Sequence, residues 1–148
     1  MNWTLEVVIV PVSDIDRAKA FYADQLGFNV DHDRRIGEGR RVVQLTPPGS
    51  GCSVVIGEGV VPHMPPGSLR GLQLVVSDVV AAHAELIKRG VAAGDVTVLD
   101  GDADRLARGG AALDNVGFVF FEDPDGNGWA VQQISTRVAV KSSAIATG

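Results

Sequence analysis

The feature that most limits the fold of this chain is an internal repeat, in which the second half follows the plan of the first. Displacing the sequence by 64 residues places the triplet Val-Ser-Asp at 12–14 on the same triplet at 76–78. The same shift places Ala18 on Ala82 and Ala20 on Ala84. A repeat at a fixed spacing indicates one supersecondary unit used twice. We therefore expect two similar modules in tandem.

The first module is predicted to run β-α-β-β-β. Residues 5–12 are a β-branched run suited to a strand near a sheet edge. Ser13 or Asp14 can cap a helix over 15–26, whose apolar residues recur at helical spacing, and Gly27 ends it. Three short strands are predicted to follow, at residues 28–31, 41–46 and 52–56.

The second module repeats this order. A strand over 71–76 leads through Ser77 and Asp78 into a helix over 79–89. Its remaining strands are predicted near residues 95–99, 116–121 and 128–134. The intervening stretch 100–115 is long for a hairpin loop, a length typical of lids and binding segments. The predicted organisation is one domain over 1–136, with modules 5–57 and 70–136, a Pro/Gly-rich connector 58–69 and a flexible tail 137–148.

Composition narrows the classes of function. With 148 residues, 45% of them hydrophobic, the chain can build one ordinary core. Its single cysteine, Cys52, cannot form an intramolecular disulfide and is interpreted as a small buried residue, which fits the cytoplasm. No secretory leader or membrane-spanning run is apparent, so we expect a soluble cytoplasmic protein without membrane contact.

The net charge argues against a nucleic-acid partner. A formal charge of −5 and a pI near 5.0 are unsuited to phosphate backbones, which bind clustered Lys and Arg. The best basic cluster, Arg34-Arg35 with Arg40-Arg41, is short and interrupted by Glu38. It is interpreted as a solvated hairpin edge.

Three stretches resemble the vicinal-oxygen-chelate superfamily, which contains glyoxalase I, ring-cleaving dioxygenases and bleomycin-resistance proteins. They are residues 12–28 (VSDIDRAKAFYADQLGF), 72–78 (LQLVVSD) and 121–129 (FEDPDGNGW). The resemblance extends over most of residues 5–136. It implies an α+β fold of two tandem βαβββ modules that form paired curved half-barrels, each enclosing a cleft. Within the third stretch, residues 123–127 also suit a plain tight turn.

The resemblance also implies where metal-dependent members carry their ligands. The matching positions here are Val7, Gly71 and Ala130, with Gln44 in the remaining position. Val, Gly and Ala side chains offer no donor to a divalent ion. We therefore expect neither a metal nor another cofactor.

Other sources of chemistry are weaker. Glu6 and Gln133 adjoin two of these positions, but neighbouring residues of a strand face opposite sides unless a bulge intervenes. His32, His63 and His83 show no metal-ligand spacing and are expected in surface or loop positions. No nucleophile elbow or phosphate-binding loop is present, so no catalytic residue is identified.

Period-two alternation predicts which side chains share the face of the vacant ligand positions. The predicted ligand-binding residues are Val7, Ile9, Val42, Gln44, Thr46, Gly71, Gln73, Ala130 and Gln132, with Phe118 and Trp129 as stacking surfaces. Trp3 and Phe120 are further stacking candidates. Such an apolar wall with a few neutral amides suits a small-molecule site, although the same residues could simply fill a core.

We therefore expect a metal-independent, homodimeric binding protein that resembles the bleomycin-resistance type and sequesters an apolar or aromatic natural product, giving drug resistance. The alternative is a vicinal-oxygen-chelate enzyme, a lyase, isomerase or dioxygenase, with a shifted metal site or a metal-free acid-base pair. A third possibility is an interaction protein whose cleft is closed.

Overall fold

The computed structural model describes residues 1–57 and 64–137, which form two compact units that divide after Ser68. Each unit contains one four-stranded mixed sheet and the predicted β-α-β-β-β order, which confirms the α+β class and the tandem modules. No helix in these ranges is long and apolar enough to span a bilayer. Most of the predicted connector (58–63) and nearly all of the predicted tail (138–148) lie outside the described residues, so the single-domain boundaries stay a prediction.

In the first unit, strand β1 runs parallel to the last strand and the others pair antiparallel, in the order β1-β4-β3-β2. The strands are β1 (Val7–Val10), β2 (Asn29–Arg35), β3 (Arg41–Thr46) and β4 (Ser53–Gly57). Helix α1 (Ile15–Ala20) continues into one turn of π-helix, Phe21–Gln25, where a plain α-helix was predicted.

The fully buried strand residues of this unit lie on one face of its sheet. Val43 and Leu45 are fully buried there, and Tyr22 from the π-helical turn is also fully buried. The Tyr22 ring contacts Phe21 edge-on at 5.2 Å and stacks on Phe28 at 5.8 Å. We call this side of each sheet the helix face and the opposite side the open face.

The second unit has the same strand order, β5-β8-β7-β6. Its strands are β5 (Leu72–Val76), β6 (Thr97–Val98), β7 (Gly117–Glu122) and β8 (Gly128–Gln133). Helix α2 (Val79–Lys88) follows β5, and residues 123–127 form the predicted turn between β7 and β8. Val119, Phe121, Trp129 and Val131 are at most 4% exposed and form its core.

The internal repeat is visible in the helix caps. Asp14 caps α1 at φ −137° and ψ 107°, and its carboxylate accepts a hydrogen bond from Arg17 N at 3.0 Å. Asp78 caps α2 at φ −145° and ψ 103° and accepts from Ala81 N at 3.0 Å. The matching aspartates thus perform the same structural task in both units.

Strand β2 is longer than predicted because its charged outer half is held by ion pairs rather than by burial. Asp33 contacts Lys19 at 2.7 Å and Arg41 at 2.8 Å. Arg41, predicted at a solvated edge, has a side chain only 17% exposed and also contacts Asp16 at 2.6 Å. A register shift between Val30 and His32 marks a β-bulge in this strand.

The stretch 100–115 is not an irregular loop. It forms helix α3 (Ala103–Arg108) and a 3-10 turn, Gly110–Leu113. Asp102 caps α3 by accepting from Asp104 N at 3.0 Å and Arg105 N at 3.2 Å, and Leu113 is 1% exposed. Because Leu113 is buried, the end of this segment packs into the core of the second unit.

Candidate functional site

In the second unit, side chains from three neighbouring strands share the open face of the sheet. Cross-strand pairing places Gln73 beside Ala130 and Ala130 beside Phe120. The next row along the sheet is Val75, Gln132 and Phe118. Directly paired residues project to the same face, so these side chains form one surface.

Two phenylalanines stand together on this surface. The rings of Phe118 and Phe120 are nearly parallel, with an interplanar angle of 6° and centroids 5.8 Å apart. Phe120 is 53% exposed, whereas Phe121 and Trp129 on the helix face are 4% exposed. The strand therefore offers one aromatic surface to solvent and buries the other.

Neutral amides border the aromatic pair. Gln73 Nε2 donates to Gln132 Oε1 at 2.5 Å, and Gln132 Nε2 donates to the Asn115 carbonyl at 2.8 Å. Each link orders the next side chain, so the amides are held in place before any ligand arrives.

The adjoining cavity has a volume of about 700 Å³. It is lined by Arg70, Gly71, Ala92, Phe120, Phe121, Glu122, Asp123, Gly128, Trp129 and Ala130. Gly71 has φ +88°, a left-handed conformation that L side chains rarely adopt. The backbone conformation at residue 71 therefore favours glycine, and the missing side chain also leaves space in the cavity.

In the first unit, the predicted residues also share the open face. Ile9 pairs with Val55, Val55 with Gln44, and Gln44 with His32. Val7, Val42 and Thr46 alternate onto the same face. Thr46 Oγ1 donates to the Asp31 carboxylate next to the β-bulge and lies 2.6 Å from Ser53 Oγ.

The predicted ligand-binding residues therefore form two groups, one on each open face. The first contains Val7, Ile9, Val42, Gln44 and Thr46; the second contains Gly71, Gln73, Phe118, Ala130 and Gln132. Trp129 borders the cavity, but its ring stacks on Phe121 at 6.1 Å in the core of the second unit. Trp3, in the first unit, is 87% exposed.

Sequence reasoning missed several residues at the cavity: Arg70, Ala92, Glu122 and Asp123. Phe120 was only a secondary candidate, although its period-two spacing from Phe118 indicated a shared face. The position of Arg70, two residues before β5, carried no comparable signal.

The residues present do not fit the metal site of metal-dependent relatives. Three of the four implied positions, Val7, Gly71 and Ala130, lack a donor atom. His32 adds an imidazole beside Gln44, but within residues 1–57 and 64–137 no three His, Cys, Asp or Glu side chains are grouped to hold an ion.

Gln133, the polar neighbour of Ala130, has a structural role. Gln133 is 3% exposed on the helix face, where Oε1 accepts from Val79 N at 3.0 Å and Nε2 donates to Asp114 Oδ1 at 3.0 Å. Hydrogen bonds from Ser135 and Gln133 hold the pKa of Asp114 below its usual value. Cys52 is half-buried, and burial raises the pKa of its thiol, so it is a poor nucleophile. His63 lies outside the described residues.

Comparison with known proteins places this geometry in a family. The model of the Glyoxalase/Bleomycin resistance protein/Dioxygenase superfamily matches residues 4–131. No curated protein sequence matches the chain significantly.

Solved structures include similar chains. TnmS3, an antibiotic binding protein from Streptomyces sp. CB03234, is 35% identical, with 90% of this chain and 98% of that chain covered and a TM-score of 0.70. A glyoxalase/bleomycin resistance protein from the same strain is 35% identical, with 88% and 100% covered and a TM-score of 0.67. A superfamily member from Sphaerobacter thermophilus DSM 20745 is 25% identical, with 89% and 98% covered and a TM-score of 0.68. This chain belongs to the glyoxalase/bleomycin resistance protein/dioxygenase superfamily.

Proposed function

We propose that this protein binds an apolar or aromatic natural product without a metal ion and confers drug resistance by sequestering it. The observation that carries the proposal is the stacked Phe118–Phe120 pair, of which Phe120 is exposed, beside a cavity of about 700 Å³. That volume lies within the roughly 300–1,000 Å³ of typical small-molecule sites. A planar ligand that stacks on these rings would bury its own apolar surface and that of Phe120.

The chemistry of the wall favours binding over catalysis. Ala130 and Gly71 leave space at positions where a liganded enzyme needs donors, and Gln73 and Gln132 are amides that do not titrate. Apolar area removed from water contributes about 25 cal/mol per Å², so a drug-sized aromatic ligand can bind through contact area alone. The amides then select its orientation by hydrogen bonding.

The similarity to TnmS3, an antibiotic binding protein that is 35% identical with 90% of this chain covered, supports a small-molecule ligand. A cytoplasmic homodimer is part of the proposal. A cytoplasmic protein would bind the drug before the drug reaches its target in the cell. The resemblance to bleomycin-resistance proteins predicts the dimer.

The test is a thermal-shift screen of planar aromatic natural products, followed by titration of the compounds that raise the melting temperature. Ala130→Phe fills the cavity from the open face and should weaken binding by at least about ten-fold. Ala84→Phe, the same change at an exposed position of α2, is the matched control and should bind normally. Equal binding by both variants, or no stabilising compound, would refute the proposal.

A further inference from the structure

We propose that Arg70 makes the cavity of the second unit selective for aromatic ligands that carry an acidic oxygen, such as a carboxylate or an ionised phenol. This inference rests on the proposed function of the same cavity and specifies the chemical class of its ligand. It follows from the position, the unused donors and the weak existing partner of Arg70.

The side chain of Arg70 lies across β8 at Gly128, where that strand carries no side chain. A Cβ built at Gly128 would lie 3.0 Å from Arg70 Cδ and 3.1 Å from Arg70 Nη1. The missing side chain at Gly128 therefore gives Arg70 room to lie across β8. Both residues line the cavity, so the guanidinium is placed beside the ligand volume.

Most of the hydrogen-bonding capacity of Arg70 is unused. Within residues 64–137 and 1–57, its guanidinium makes one hydrogen bond, from Nη1 to Glu122 Oε1 at 3.3 Å. A guanidinium has five N–H donors in a planar fork that matches a carboxylate bidentately. Arg70 can therefore accept a ligand carboxylate without losing a buried partner.

The existing ion pair is weak enough to be exchanged. The side chains of Arg70 and Glu122 are 64% and 60% exposed, and ion pairs in that setting contribute little. The other lining acid, Asp123, is 5% exposed and accepts hydrogen bonds from Asn127 N at 2.9 Å and Asn127 Nδ2 at 2.7 Å. Glu122 is thus the acid that competes with a ligand for Arg70.

The test uses two probes that differ in one group: anthraquinone-2-carboxylate and its neutral counterpart, 2-(hydroxymethyl)anthraquinone. Wild-type protein should bind the carboxylate about ten-fold more tightly at low salt, and the preference should shrink in about 0.5 M NaCl. Arg70→Gln should abolish the preference by weakening binding of the carboxylate about ten-fold more than binding of the neutral probe. Glu122→Gln should increase the preference for the carboxylate probe, because the competing carboxylate of Glu122 is removed.

Arg108→Gln is the matched control, since Arg108 is 60% exposed and paired with Asp104 at 3.1 Å but does not line the cavity. It should keep the wild-type preference. Equal binding of the two probes by wild type, or an equal loss for both probes in Arg70→Gln, would overturn the role of Arg70 while the binding function stands. If neither probe binds, the proposed aromatic ligand is refuted as well. Far-UV circular dichroism of each variant checks that the variant is folded.

Discussion

The turn between β7 and β8 should be a major determinant of the stability of the second unit. Asn127 is fully buried there, its Oδ1 accepts from Leu69 N at 3.0 Å, and its Nδ2 donates to Asp123 Oδ2 at 2.7 Å. Leu69 immediately precedes Arg70, so the Asn127 side chain connects the segment before β5 to the turn. Replacing Asn127 with alanine should break that connection.

The expected cost follows from the groups left behind. Asn127→Ala leaves the Leu69 N–H without its acceptor and the Asp123 carboxylate, 5% exposed, without one of its donors. Leaving a buried polar group unsatisfied costs about 1–3 kcal/mol, and more when the group is charged. We therefore expect a loss of about 3 kcal/mol in the free energy of unfolding, or about 10 °C in the melting temperature for a chain of this size.

Urea denaturation followed by circular dichroism measures this loss, with calorimetry as a second readout. Asn29→Ala, at an exposed position of β2, is the control and should remain within about 0.5 kcal/mol of wild type. A loss below about 1 kcal/mol for Asn127→Ala would show that the buried hydrogen bonds of the turn do not hold the unit together.

Two further predictions concern charge and packing. Hydrogen bonds from the Arg41 guanidinium and the Lys19 ammonium hold the pKa of Asp33 far below its usual value. The ion pairs of Asp33 therefore stabilise the fold fully above about pH 4, and this stabilisation is lost as the pH falls toward the lowered pKa. Asp33→Asn should therefore cost about 1 kcal/mol at pH 7, and the gap to wild type should close on acidification in urea titrations. Gly117→Ala places a Cβ 2.9 Å from Leu113 Cβ and should cost about 2 kcal/mol, whereas Gly94→Ala, whose Cβ would lie 3.7 Å from its nearest neighbour, should be neutral by thermal denaturation.

The sequence predicted most of the fold because the repeat and the apolar spacing are local signals. The aspartates of the repeated triplets cap both helices, and strand β3 matches its predicted bounds, Arg41–Thr46. Strand β2 extended beyond its prediction because its residues are all exposed, so no apolar alternation marks its outer half. Helix α3 was missed because the stretch was judged by length, although Asp102 provides a cap signal.

The candidate site was less predictable because it depends on contacts between distant strands. Period-two alternation placed Gln73, Ala130 and Gln132 on one face, as the pairing shows. The same rule sends Trp129 to the other face, where it packs on Phe121. Arg70 and Glu122 meet across the sheet, and only the strand register reveals that meeting.

The central claim is that the ligand binds without a metal. Its most direct test is calorimetric titration of the best aromatic compound into two preparations of the protein. One is stripped with a chelator, and the other is loaded with Ni²⁺, Co²⁺, Zn²⁺ or Fe²⁺ and then desalted. We predict that the desalted protein retains essentially no metal and that the dissociation constants agree within about two-fold. Retention of close to one ion per chain, with binding lost after chelation, would contradict the account.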